Sequence, residues 1–273
     1  MKRIHLLIVN PQMDFCTPPG TYPGLRTGAM FVPGADEDMK RLAAMVIRMT
    51  PMFCDIHIVL AGRHVMGVAH PPFWRNAKGQ HPAPFTIITS TELRAGVWTT
   101  TIPSLFPRML RYVETLESGG RYPLLIWPEH CLIGSPGAAI VPELLEAVNG
   151  WARCRRATVD FVTTGSNIFV EHRGAVCADV PDAKDPYTQP NIAFVNTIEE
   201  ADCVIWAGEP ANLAVANTIR DVLDLVRPET IKKMVLLTDA TSATPGANES
   251  HRAFLAEMSK LGMKMITTME MAA

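Results

Sequence analysis

The sequence has almost no net charge and no paired-cysteine motif. Across 273 residues, 25 Lys and Arg stand against 27 Asp and Glu, a net charge of −2. That balance argues against a nucleic-acid partner held by an overall basic surface. The six cysteines lie at 16, 54, 131, 154, 177 and 203, with no CxxC pair and no zinc-ligand spacing. Reduced thiols and a cytoplasmic location are the expectation. No run reaches 18 apolar residues. The first apolar stretch, at 6–9, stops at Asn10-Pro11, too short for a signal core or a membrane span. The chain is therefore expected to have no membrane partner. Internal repeats and low-complexity tracts are also missing.

What is present is apolar material and punctuation. Apolar residues make up 48%, enough for a full core and too much for global disorder. The 22 Pro and 18 Gly imply many loops, and the 15 Met read as core fillers. Apolar runs at 4–9, 56–61, 124–127, 158–163, 203–207, 234–237 and 264–267 read as strands. Helical patterns fall at 36–49, 138–149, 212–226 and 248–261. In the first, Met39, Leu42, Ala43, Val46 and Ile47 repeat at the spacing of one buried helical face. Fully apolar strands separated by helices predict a three-layer α/β fold around a central parallel sheet. One domain over 1–273 is expected, with a loop-rich excursion at about 66–120 carrying a short strand near 86–89.

In such sheets, ligand sites form at the carboxyl ends of the strands. Asp14, just past the first strand, is a general-base candidate or a turn residue. After the second come Ala61-Gly62-Arg63-His64 and then His70. Two histidines six apart read either as metal ligands or as loop and packing residues. Trp127 to Gly137 forms a small-residue loop feeding a helix. Thr164-Gly165-Ser166-Asn167 follows the fourth strand, and Gly208-Glu209-Pro210-Ala211-Asn212 the fifth.

Together these loops resemble the isochorismatase-like cysteine hydrolases, the superfamily that includes nicotinamidases. The resemblance runs over nearly the whole chain. It is most specific at 9–16, 69–74, 79–86, 127–137, 165–181 and 207–221. It implies a parallel six-stranded sheet and hydrolysis of small amides by an Asp, a Lys and a Cys. The Cys sits at a helix start, where the dipole favours thiolate, and backbone N–H groups hold the oxyanion. Nicotinamidase members add an Asp/His metal site after the second strand.

Carried over residue by residue, the resemblance assigns the Asp to Asp14, the Lys to Thr164 and the Cys to Ala214. The oxyanion loop falls on Glu209, Pro210 and Ala211, and the Glu209–Pro210 bond is expected to be cis. The metal carboxylate falls on Ala61 or Gly62 and one metal His on Arg63, leaving vestigial His64 and His70. No metal and no other cofactor are expected. Cys131 and Cys203 are poorly placed as substitute nucleophiles; Cys16, close to Asp14, stays open. Three readings follow. The leading one is a degenerate member without hydrolase activity, acting as a binding or assembly subunit. A second is an amidohydrolase of nicotinamide or another small amide, inactive as it stands or using a rearranged site. A third is a binding module for a small planar amide. A homo-oligomer, or a protein assembly partner, is the expected state.

Overall fold

Short, largely apolar segments such as those at 4–9, 203–207 and 234–237 can hide both faces only by lying side by side in a covered sheet. The computed structural model of the chain shows this, and describes residues 2–119 and 122–271. Both ends of the expected 1–273 domain and position 120 of the excursion lie outside the described residues. The strands are β1 (Ile4–Val9), β2 (Phe53–Ala61), β3 (Asp160–Thr164), β4 (Cys203–Gly208), β5 (Met234–Leu237) and β6 (Lys264–Ile266). All pair in parallel, in the order β6-β5-β4-β1-β2-β3. The chain winds outward from β1 to β3 and then returns to start β4 on the other side of β1. Strand order therefore reverses between β1 and β4, and a crevice opens beyond their carboxyl ends.

Helices Ala35–Met49 and Pro142–Arg155 cover one face, with Met39, Leu42, Trp151 and Ile58 in one core. Helices Ile192–Glu200, Ala216–Leu223 and Asn248–Leu261 cover the other, around Trp206, Phe194 and Phe254. Each such fully buried side chain contributes about 1.5–3 kcal/mol of transfer free energy. In Ala35–Met49 the expected face is buried except Ile47, which is 66% exposed. The buried stripe extends instead towards Leu42, Met45 and Met49, and Ile47 stands about 80° round the helix from Met39, on the opposite flank.

Three expectations need correction. The run at 124–127 is not a strand of the central sheet: Leu124–Leu125 pairs antiparallel with Ile87–Ile88. An apolar run bounded by Pro123 and Pro128 says nothing about which sheet it joins. The excursion is also less loop-like than its composition suggests. It contains the helix Phe106–Gly119, and its own core packs Phe73, Trp74, Met109 and Tyr112 against Val170 and Ala178. Finally, the helical pattern at 212–226 is two pieces: a wide π-type turn, Ala211–Val215, and the helix Ala216–Leu223.

Candidate functional site

The crevice between β1 and β4 ends in a cavity of about 50 Å³. Val9 and Asn10 from β1, Val59 and Ala61 from β2, Thr164 from β3, and Pro210, Leu213 and Ala214 after β4 line it. Phe15 and Trp127 add aromatic walls, and Arg63, His130, Glu171, His172 and Arg173 supply the polar groups. Strand-end logic thus brings Thr164 and Ala214 to one cavity.

Asp14 stands behind that wall, next to Phe15. It is 4% exposed. The Cys131 N–H donates to its Oδ2 at 2.6 Å and the Ala29 N–H to its Oδ1 at 3.2 Å. The carboxylate lies so close to Gly137 that a Cβ there would come within 2.1 Å of Oδ2. Only glycine fits at 137. Gln12, which sequence reasoning passed over, acts as an extra rung of the sheet. Its amide donates to the Ala61 carbonyl and accepts from the Ala61 N–H, both at 2.8 Å.

The loop after β4 does not act as an oxyanion hole through the three residues expected. The Glu209 N–H donates to the Val9 carbonyl at 2.8 Å, and the Ala211 N–H to the Ser242 carbonyl at 2.8 Å. Pro210 has no N–H. The two N–H groups available at these three positions are thus engaged, with Val9 of β1 and with Ser242. The Glu209–Pro210 bond is cis. The Glu209 side chain is fully buried, and the Ser242 N–H reaches both its oxygens at 3.1 Å. Burial, together with the nearby Asp38 carboxylate, pushes the Glu209 carboxyl well above the usual range.

No cysteine lines the cavity among the described residues. Cys16 is buried and its thiol is pushed far up by desolvation, then by Glu209. Desolvation and Asp14 raise Cys131 in the same way. Neither holds a thiolate near neutral pH, so neither is a ready nucleophile.

The polar wall is organised by Arg63. Its Nη2 lies 2.6 Å from Glu171 Oε1; the Glu171 side chain is 1% exposed and that of Arg63 13%. The contact is a close ion pair without hydrogen-bond alignment: Arg63 Nε and both Glu171 carboxylate oxygens have no hydrogen-bond partner. Arg173 pairs with Asp179 at 2.6 Å and donates to the Pro123 carbonyl. Burial lowers the pKa values of His70, His130 and His172, and for His70 and His130 the Arg63 charge acts in the same sense. Sequence reasoning missed Glu171, His172 and Arg173. Three consecutive ionisable residues beside Val170 and Ala175 were the available signal.

These shifts set the acid side of stability. The three histidines are neutral in the fold, whereas in the unfolded chain each binds a proton near pH 6.5. Their contribution is complete above pH 6.5 and is lost as pH falls, by up to about 1.4 kcal/mol per pH unit for each. Glu209, with its raised folded value, works oppositely: its contribution is complete below the ordinary Glu value and falls as pH rises through its folded one. The urea midpoint is expected to drop between pH 6.5 and 5, and Glu209→Gln to flatten any decline on the alkaline side. A midpoint unchanged between pH 5 and 7 contradicts this account.

The sequence matches no protein-family model and no curated protein. Its backbone does match solved structures. The yeast nicotinamidase bound to the inhibitor nicotinaldehyde superposes with a TM-score of 0.63 at 15% identity, over 97% of this chain and 99% of that one. A nicotinamidase/pyrazinamidase of Acinetobacter baumanii gives 0.61 at 16%, over 100% and 99%. The pyrazinamidase of Pyrococcus horikoshii in complex with zinc gives 0.55 at 16%, over 97% and 99%. The chain has the isochorismatase-like hydrolase fold. Within the isochorismatase-like fold, the residues here do not suit a metal after β2. Ala61 and Gly62 carry no donor, and Arg63 is a cation already paired with Glu171. No helix among the described residues is long and apolar enough to cross a membrane.

Proposed function

We propose that the chain is a degenerate nicotinamidase- or isochorismatase-like protein that binds a small planar amide without hydrolysing it. The observation that carries this reading is the lining of the cavity. It includes Ala214 and Thr164, to which the resemblance assigns the nucleophile and the lysine, and no thiol is within the lining among the described residues. Without a nucleophile there is no covalent route to the acyl intermediate.

The rest of the cavity supports retention of a ligand. Phe15, Trp127, Val59 and Leu213 offer apolar faces to a flat ring. Arg63 contributes an unpartnered N–H donor and Glu171 an unpartnered carboxylate oxygen. A primary amide presents the complementary pair, a carbonyl oxygen and an NH₂ group. An unsatisfied buried donor or acceptor costs about 1–3 kcal/mol, so a ligand meeting both has a reason to stay.

The test uses the purified chain with nicotinamide and a panel of small aromatic amides. No ammonia release is expected, with a rise in thermal midpoint for at least one amide, because a ligand bound to the native state stabilises it. Robust ammonia release would favour the amidohydrolase reading. No midpoint shift across the panel would leave assembly as the reading of choice.

A further inference from the structure

A second, smaller cavity of about 10 Å³ lies beside the first, sharing Arg63 and Glu171 with it. That is room for about one water-sized guest. His64, His70, Glu171 and Arg63 border it. Two imidazoles and a carboxylate are the donor types of zinc and non-haem iron sites. His70 also has the tautomer of a metal ligand. Its Nδ1–H donates to the His64 carbonyl at 2.9 Å, which leaves Nε2 with a free lone pair. That Nε2 is buried and has no partner.

Yet no three such side chains converge in ligand geometry among the described residues. The cation of this cavity is already present. The Arg63 guanidinium, 2.6 Å from Glu171 Oε1, is nearly removed from water and cannot shed its charge. We propose that Arg63 is a built-in replacement for a divalent metal: it neutralises Glu171, lines the same small cavity as His70, and keeps metal out.

Two physical reasons exclude co-occupancy. A metal drawing on Glu171 would leave a buried guanidinium without its counter-ion, a configuration proteins avoid. A divalent ion beside that guanidinium would also meet strong like-charge repulsion in a poorly screened interior. Ala61 and Gly62 offer no second carboxylate to offset it. The loop carrying Glu171 is thereby anchored whatever metal the surroundings supply. This inference stands whether or not the chain turns over an amide.

The test is cobalt and zinc uptake by equilibrium dialysis, with cobalt ligand-field bands as the signature of an ordered site. The unaltered chain, Arg63→Lys and Arg63→His are compared. The unaltered chain and Arg63→Lys are expected to hold none. Arg63→His, which removes the fixed charge, frees Glu171 and adds an imidazole, is expected to hold about one ion per chain. One equivalent bound by the unaltered chain and lost on His70→Ala overturns the proposal. So does a folded Arg63→His that binds nothing. An Arg63→His chain that stays unfolded even when refolded with zinc overturns it too, because a restored ligand set would hold Glu171 as the guanidinium did.

Discussion

Ala214→Cys alone is expected to release no more ammonia from nicotinamide than the unaltered chain. A thiol at 214 would line the cavity, within the wide turn Ala211–Val215. It would lack three things. Thr164 supplies no positive charge to hold a thiolate. Asp14 stands outside the cavity lining, and both of its oxygens are already engaged by the N–H groups of Cys131 and Ala29. Glu209, Pro210 and Ala211 offer no N–H to a developing oxyanion, because Val9 and Ser242 take the two that exist. A missing oxyanion donor alone typically costs about 10²–10³ in rate. Adding Thr164→Lys to Ala214→Cys should raise the rate above the single variant by about 10²-fold or more, since a positioned proton-handling group contributes about 10²–10⁴. Full activity from Ala214→Cys alone would show that the losses at 164 and in the loop are immaterial.

Arg63→Met is expected to destabilise the fold by about 3–5 kcal/mol, the usual result of stripping one partner from a buried ion pair. Glu171, at 1% exposure, would lose the one ion-pair partner it has among the described residues, and would have to carry an uncompensated charge or take up a proton. Arg63→Met combined with Glu171→Gln should recover most of that loss. The charge is then gone from both sides, and only an imperfectly satisfied amide remains. Urea unfolding of the unaltered chain, Arg63→Met, Glu171→Gln and the double variant gives the coupling directly. A single-variant loss under about 1 kcal/mol would mean that water reaches the pair and screens it.

The sequence carried the sheet because β1, β4 and β5 are apolar on both faces, and no other arrangement hides such strands. The helix Ala35–Met49 was legible within a residue at its start because its apolar spacing is regular. The helix Phe106–Gly119 was hidden by Pro103 and Pro107, which read as loop, though a proline at the second helical position costs nothing. At the site, Thr164 and Ala214 could be brought together from strand ends alone. The Arg63–Glu171 pair could not: its partners lie on separate loops, and no periodicity links residues so far apart in the chain. The oxyanion loop misled for a related reason. Residue types name the groups available, whereas pairing decides which are already engaged.

Asp14, unlike Thr164 and Ala214, is tied by its side chain into the structure around it. Its carboxylate ties down the loops of Ala29 and Cys131 and fills the space that Gly137 leaves. Thr164 and Ala214 merely face a cavity. A side chain that braces two loops cannot be exchanged without loosening both, so replacement of Asp14 is expected to unsettle the walls of the crevice where replacement of Thr164 or Ala214 alters only its lining.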